Sequence, residues 1–165
     1  MLLPLTKVPT PTLHDPSKAL SKEDLATDDM KQLIANMIPT MYHEHGIGLA
    51  APQVGVNVQL CIVGKDCIPD DFSYIEKGKD LVLVNPAYTR AGRRAVLETE
   101  GCLSVPGTQG KVKRFKHISV TALDQHGNPI AFEAHGYFAH VIQHETDHLN
   151  ATLYIDKAKS VWEIE

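Results

Sequence analysis

Long apolar runs are missing from this 165-residue sequence, and none approaches the roughly 18 residues that a membrane-spanning helix needs. An excess of positive charge is missing too. With 16 Lys and Arg against 20 Asp and Glu, the formal net charge of -4 gives nucleic acid no electrostatic reason to bind, so no direct nucleic-acid partner is expected. Cysteine is scarce. Cys61, Cys67 and Cys102 form an odd set, unlike the paired framework of a small secreted domain. There is no internal repeat and no low-complexity tract. The opening stretch MLLPLTKVPTPTL is too short and too Pro-rich for a signal peptide, and it has no Arg of the kind a transit peptide carries. These absences predict a reduced, cytoplasmic protein with no membrane contact. The length suits one domain with its own core, taken as residues 1–165.

What is present divides into recognisable elements. Pro4, Pro9, Pro11 and Pro16 mark the first twenty residues as an extended, wrapping segment. Thr27 is placed to cap a helix whose first residues, Asp28 and Asp29, suit the positive end of its dipole. Leu33, Ile34, Met37, Ile38 and Met41 then recur at helical spacing, with Pro39 expected to bend or break the helix and Gly46 to end it. VQLCIVG and LVLVNP read as strands. HISVTALDQHGNPIAFEA reads as a hairpin turning at His126-Gly127-Asn128. From about Tyr137 to Leu149 the period is helical again. Most strands precede that helix. The class expected is α+β, with a mainly antiparallel sheet wrapped around a central helix.

That helix carries His144-Glu145-x-x-His148. Residues four apart on a helix share a face, so the two imidazoles can bind one ion while Glu145 stands beside it as a general base. The bland alternative is a partly solvated, His-rich face. His140 lies on the same stripe and reads as a surface residue, because only His144 and His148 have a carboxylate between them. A third ligand is not supplied downstream. Ala151 and Tyr154 break the metzincin pattern, and Glu163 and Glu165 lie on a tail too short for a further helix of useful length. The third ligand is therefore expected upstream.

Two upstream stretches qualify as site material. EGCLSVPG contains Cys102, which taken alone is more often a small buried hydrophobe than a ligand. GIGLAAPQVG, from Gly46 to Gly55, is a small-residue loop in the wrong setting for a dinucleotide fingerprint. It is either a structural turn or open backbone that a substrate approaches closely, with Gln53 as an amide donor.

Taken in order, GIGLAAPQ, EGCLS and HETDH resemble the three motifs of the peptide deformylase family, and the likeness runs from about Met30 to Asp156. The resemblance implies a single divalent ion held by Cys102, His144 and His148. It favours Fe2+, with Zn2+, Ni2+ or Co2+ able to replace it in purified protein. It implies that Glu145 moves the proton in hydrolysis of the formyl group of N-formylmethionyl nascent peptides. Gln53 and the Leu103 backbone N–H would meet the oxyanion, and Ile47, Gly48 and Gly101 would line the peptide's path. Many bacterial members also carry a long C-terminal helix, implicated in ribosome docking, for which this sequence has no residues. Thr146 replaces the usual apolar residue and is expected to loosen packing behind the metal helix. Ala151 replaces the usual Gly, so Asn150 is expected to take the left-handed position after the helix. Two other functions fit the residues less well: a different small metallopeptidase, and an inactive relative that binds formylated peptides without turnover.

Overall fold

The computed structural model describes residues 1–164; Glu165 lies outside the described residues. After a short helix α1 (Lys22–Leu25), Thr27 accepts a hydrogen bond from the Met30 N–H and opens α2 (Asp28–His43). The break expected at Pro39 does not occur. Pro39 removes one N–H, but it and Ala35, whose carbonyl loses its partner, are both exposed, so water can satisfy that group. The helix also stops before Gly46. His45 takes the left-handed position with φ 59, and the Gly46 and His45 N–H groups bond back to the carbonyls of Met41 and Tyr42.

A five-stranded sheet follows, made of β1 (Gly48–Ala50), β2 (Leu60–Val63), β3 (Leu81–Arg90), β6 (His117–Leu123) and β7 (Pro129–His135), in that spatial order and antiparallel throughout. A separate three-stranded sheet pairs β4 (Ala95–Cys102), β5 (Val105–Phe115) and β8 (Ser160–Glu163). The second long helix, α3 (Gly136–Leu149), and a short α4 (Tyr154–Lys157) complete the chain. The hairpin turn between β6 and β7 is where the sequence places it. The Asp124 carboxylate accepts the His126 and Asn128 N–H groups around Gly127, whose φ is 87.

The uninterrupted apolar runs of β2 and β3 have a simple cause: both faces of the sheet are covered. Cys61, Val63, Leu81 and Leu83 pack with Phe138, Val141 and Ile142 of α3. Leu60, Ile62, Val82 and Val84, on the alternate face, pack with Ile34, Met37 and Met41 of α2. A third cluster, of Leu13, Val105, Val112, Leu153 and Tyr154, ties the N-terminal segment to the smaller sheet. The wrapping segment is held by backbone pairing of Lys18 with Val58 and by Asn85, whose side-chain amide both accepts from and donates to Leu20. The expected α+β class, a mainly antiparallel arrangement around α3, is the one observed.

The end of α3 corrects the expectation for Asn150. Asn150 has φ -104 and uses its side-chain amide to donate to the Thr146 carbonyl, while Ala151 itself adopts φ 61. The Ala151 and Thr152 N–H groups close the helix on the His148 and Asp147 carbonyls, and this double bond geometry requires the left-handed residue at 151. Thr146 is fully buried and its hydroxyl has no partner, so the cost of this departure is an unpaired polar group. A left-handed alanine is strained by about 1–2 kcal/mol, partly offset by the greater unfolded-state entropy of glycine. Ala151→Gly is therefore expected to raise stability by roughly 0.5–1 kcal/mol in chemical denaturation, and Ala151→Val to lower it.

Candidate active site

The site forms where the C-terminal end of β4 meets the C-terminal half of α3. A two-residue turn, Leu103-Ser104, joins β4 to β5, so Cys102 sits at the strand end with its sulfur free of the ladder. His144 and His148 face it from one side of α3. The Cys102 Sγ lies 3.3 Å from His148 Nε2, and one ligand atom from each of Cys102, His144 and His148 falls within 4.8 Å of the others. The remaining cysteines are elsewhere. Cys61 is sealed in the core, where burial pushes its thiol well up, and burial likewise raises Cys67 to about 11.

The histidine rings are oriented from behind. His144 Nδ1 is 2.7 Å from Glu100 Oε1, which leaves Nε2 as the nitrogen available to a metal. The expected surface location of His140 is wrong. Its side chain is only 12% exposed, and its Nε2 lies 2.8 Å from Glu100 Oε2, because residues four apart on α3 reach the same carboxylate. Glu100 is also gripped by Arg114, with Nε 2.6 Å from Oε2 and Nη2 2.8 Å from Oε1. Arg114 Nη1 continues to Asp147 Oδ2 at 2.6 Å. Asp147 accepts a further hydrogen bond from Tyr88 at 2.8 Å and forms an ion pair with Lys157 at 2.8 Å. Burial would raise the Glu100 pKa, but the Arg114, His140 and His144 hydrogen bonds bring it well below the usual carboxylate range.

Burial lowers the His148 pKa strongly, reinforced by the charges of His144 and Arg114, so this ring stays neutral as a metal ligand must. Burial also disfavours charge on His144, yet the hydrogen bonds of Cys102 and Glu100 hold its pKa well above the ordinary value. The set of one thiol and two imidazoles, converging with the second imidazole nitrogen of His144 already engaged, fits a transition metal.

Glu145 is buried, and burial lifts its carboxyl to about 7. The glycine at 48 has a specific reason: a Cβ there would come within 2.7 Å of Glu145 Oε1. At Gly46 the same atom would meet Leu103 Cδ1 at 2.7 Å. Gln53, on a 3-10 turn after β1, accepts the Ala50 N–H at 2.9 Å. Its amide nitrogen is thereby turned toward Ser104 Oγ at 3.2 Å and Cys102 Sγ at 3.5 Å. The N-terminal segment laces the two turns together, with Thr6 N–H bonded to the Gln53 carbonyl and Val8 N–H to that of Ser104.

These groups open onto a cavity of about 550 Å³, lined also by Ile47, Gly48, Gly101 and Leu103. It lies between two sheet edges, since β1 and β4 each end their sheets. A Cβ at Gly101 would meet nothing closer than 3.7 Å, so no internal packing explains that glycine. The structure thus brings together every residue singled out from the sequence. Arg114, Asp147, Tyr88, Lys157 and the role of Glu100 were missed. The available signal was that a metal-ligating histidine needs a partner for its other nitrogen, and Glu100 stands in the same short stretch as Cys102.

Removing Arg114 would leave Glu100 and Asp147 buried without their shared cation. Arg114→Met is expected to lose about 3–5 kcal/mol in urea denaturation. Its metal content, measured in the same preparation, should fall as His144 loses its orientation.

Comparison with known proteins bears on the family of the whole chain. The family model described as polypeptide deformylase matches residues 2–162. Peptide deformylase 1 of Nostoc sp. is 41% identical over 145 residues, which cover 88% of this chain and 73% of that protein. The peptide deformylase of Thermodesulfovibrio yellowstonii is 41% identical over 157 residues, 94% of this chain and 88% of that one. Among solved structures, the Thermotoga maritima peptide deformylase superimposes with a TM-score of 0.84 at 31% identity, covering 97% of this chain and 99% of that chain. The class I type b enzyme of Acinetobacter baumannii with Met-Ala-Ser bound gives 0.84 at 31%, covering 95% and 98%. A match of this extent, in sequence and in fold, places the chain in the polypeptide deformylase family.

Proposed function

We propose that the cavity hydrolyses the formyl group of N-formylmethionyl peptides, with Cys102, His144 and His148 as metal ligands and Glu145 as the general base. The observation that carries this reading is the convergence of those three ligand atoms within 4.8 Å, with Glu145 beside them and the Gln53 amide turned toward Cys102. When bound, the ion supplies Lewis-acid polarisation and makes a water acidic enough to attack at neutral pH. The family resemblance favours Fe2+, while Zn2+, Ni2+ and Co2+ suit the same donors.

Glu145 accepts the proton of the attacking water as its oxygen bonds to the formyl carbon. The carbonyl oxygen gains charge, and the Gln53 amide and the Leu103 N–H donate to it. The C–N bond then breaks, Glu145 returns the proton to the departing amine, and formate and a free methionine N-terminus leave. Burial that raises Glu145 toward neutrality suits a group that must take up and release a proton in one cycle. The peptide lies between the open edges of β1 and β4, with Gly48 and Gly101 giving its backbone access and Ile47 flanking it. The Met-Ala-Ser bound to the Acinetobacter protein, a peptide that begins with methionine, supports this substrate class. Residues 1–165 act as one catalytic domain, and the three unpaired cysteines suit the cytoplasm. No helix among the described residues is long and apolar enough to cross a membrane.

Two variants test the roles. Glu145→Gln keeps the side chain's shape against Gly48, so metal content should equal that of the unaltered protein while formate release falls by about 10²–10⁴-fold. Metal loss as large as that of His148→Ala would show that Glu145 is a ligand instead. Gln53→Ala should lower kcat by about 10²-fold or more with little change in KM, since its donor bond strengthens only as charge develops. An unchanged kcat, with a raised KM or a lowered melting temperature, would reduce Gln53 to a brace for the loop at Ala50.

A further inference from the structure

Outside the cavity, the β6–β7 hairpin gathers a second set of ligand-type side chains. His117 and His135 stand directly opposite each other across the strands. Glu133, two residues before His135, shares their face of the sheet, because the intervening Ala134 and the adjacent Ile118 point into the core. The two imidazoles are stacked, with ring centroids 3.9 Å apart and planes 26° from parallel. His117 Nε2 lies 3.4 Å from Glu133 Oε2 in a geometry that makes no hydrogen bond, and the nitrogen is closed off from solvent without a partner. One ligand atom from each of the three residues lies within 4.8 Å of the other two. None of the three lines the catalytic cavity.

We propose that His117, Glu133 and His135 form a second metal site, which takes one divalent transition-metal ion of the zinc, copper or nickel type independently of the catalytic centre. Two imidazoles and one carboxylate match that class of ion, whereas Mg2+ and Ca2+ require oxygen ligands throughout. Ligand bonds of about 2.0–2.2 Å place tetrahedral donors roughly 3.3 Å apart, so the side chains must close by at most about 1.5 Å. His135 and Glu133 are exposed and free to make that movement, while His117 is half-buried. The positive end of α3 follows directly after His135 and disfavours a cation with about half a unit of charge. The full carboxylate charge of Glu133 outweighs it. A bound ion would accept the orphaned His117 nitrogen and tie β6 to β7 at the residue that leads into the metal-binding helix.

The test starts from protein whose catalytic site is already filled with zinc, titrated with Zn2+ by calorimetry. A second equivalent is expected, with its affinity weakened in His135→Ala and in Glu133→Ala by at least about tenfold, the lower bound seen even for outer-sphere partners of a metal. His126→Ala, in the exposed turn of the same hairpin, should bind the second equivalent unchanged. Zn2+ should also raise the melting temperature of the unaltered holoprotein and not that of His135→Ala; melting in the absence of added Zn2+ confirms that each variant is folded. The absence of a second equivalent in the unaltered protein would overturn the site. So would retention of full affinity in both His135→Ala and Glu133→Ala.

Discussion

Arg114 is enclosed between two carboxylates from different parts of the chain, and the geometry of the candidate active site depends on that contact. Glu100 arrives on β4, Arg114 on β5, and Asp147 on α3; Tyr88 of β3 adds a hydrogen bond and Lys157 of α4 an ion pair. Apolar packing brings the helix against the sheets but has no direction of its own. The planar guanidinium does, because its fork holds Glu100 at two points and Asp147 at a third. The result reaches the metal ligands directly, since the same Glu100 oxygen that receives Arg114 Nη2 also receives His144 Nδ1. Burying these ions costs several kcal/mol each, and that cost is tolerable only because Glu100 and Asp147 are balanced by Arg114 and Lys157. The network is better described as an orienting device than as a source of net stability.

Close approach is the second constraint. Gly46 and Gly48 let the loop before β1 press onto Leu103 and Glu145, and the same packing removes Glu145 from water. The rise of its carboxyl to about 7 is thus a consequence of backbone geometry at Gly48 as much as of its own position. The N-terminal segment completes the arrangement by bonding to the carbonyls of Gln53 and Ser104, so three chain segments share one rigid rim. Both long helices end on a left-handed residue other than glycine, His45 and Ala151, and in each case two backbone bonds hold the strained conformation. One of these ends borders the cavity and the other closes the metal-binding helix.

Local chemistry along the chain determined a good deal. The helical period of α2 and α3, the Thr27 cap, the apolar runs of β2 and β3 and the β6–β7 hairpin are all written in short stretches, because each depends on neighbours within a turn or a strand. The pairing of His144 with His148 is of this kind, since four residues along a helix return to one face. Tertiary structure decided what required distant groups to meet. Pro39 was compatible with an unbroken helix because its face happens to be exposed, and His140 was largely withdrawn from solvent because its ring reaches Glu100. β4 and β5 mix charged and apolar residues without a regular apolar alternation in sequence, and β8 is exposed throughout, so only their pairing reveals them as strands. Arg114 and Asp147 look like ordinary surface charges in sequence. Their partners lie on other elements, and the energy of a buried ion depends on what surrounds it in space, which no local pattern encodes.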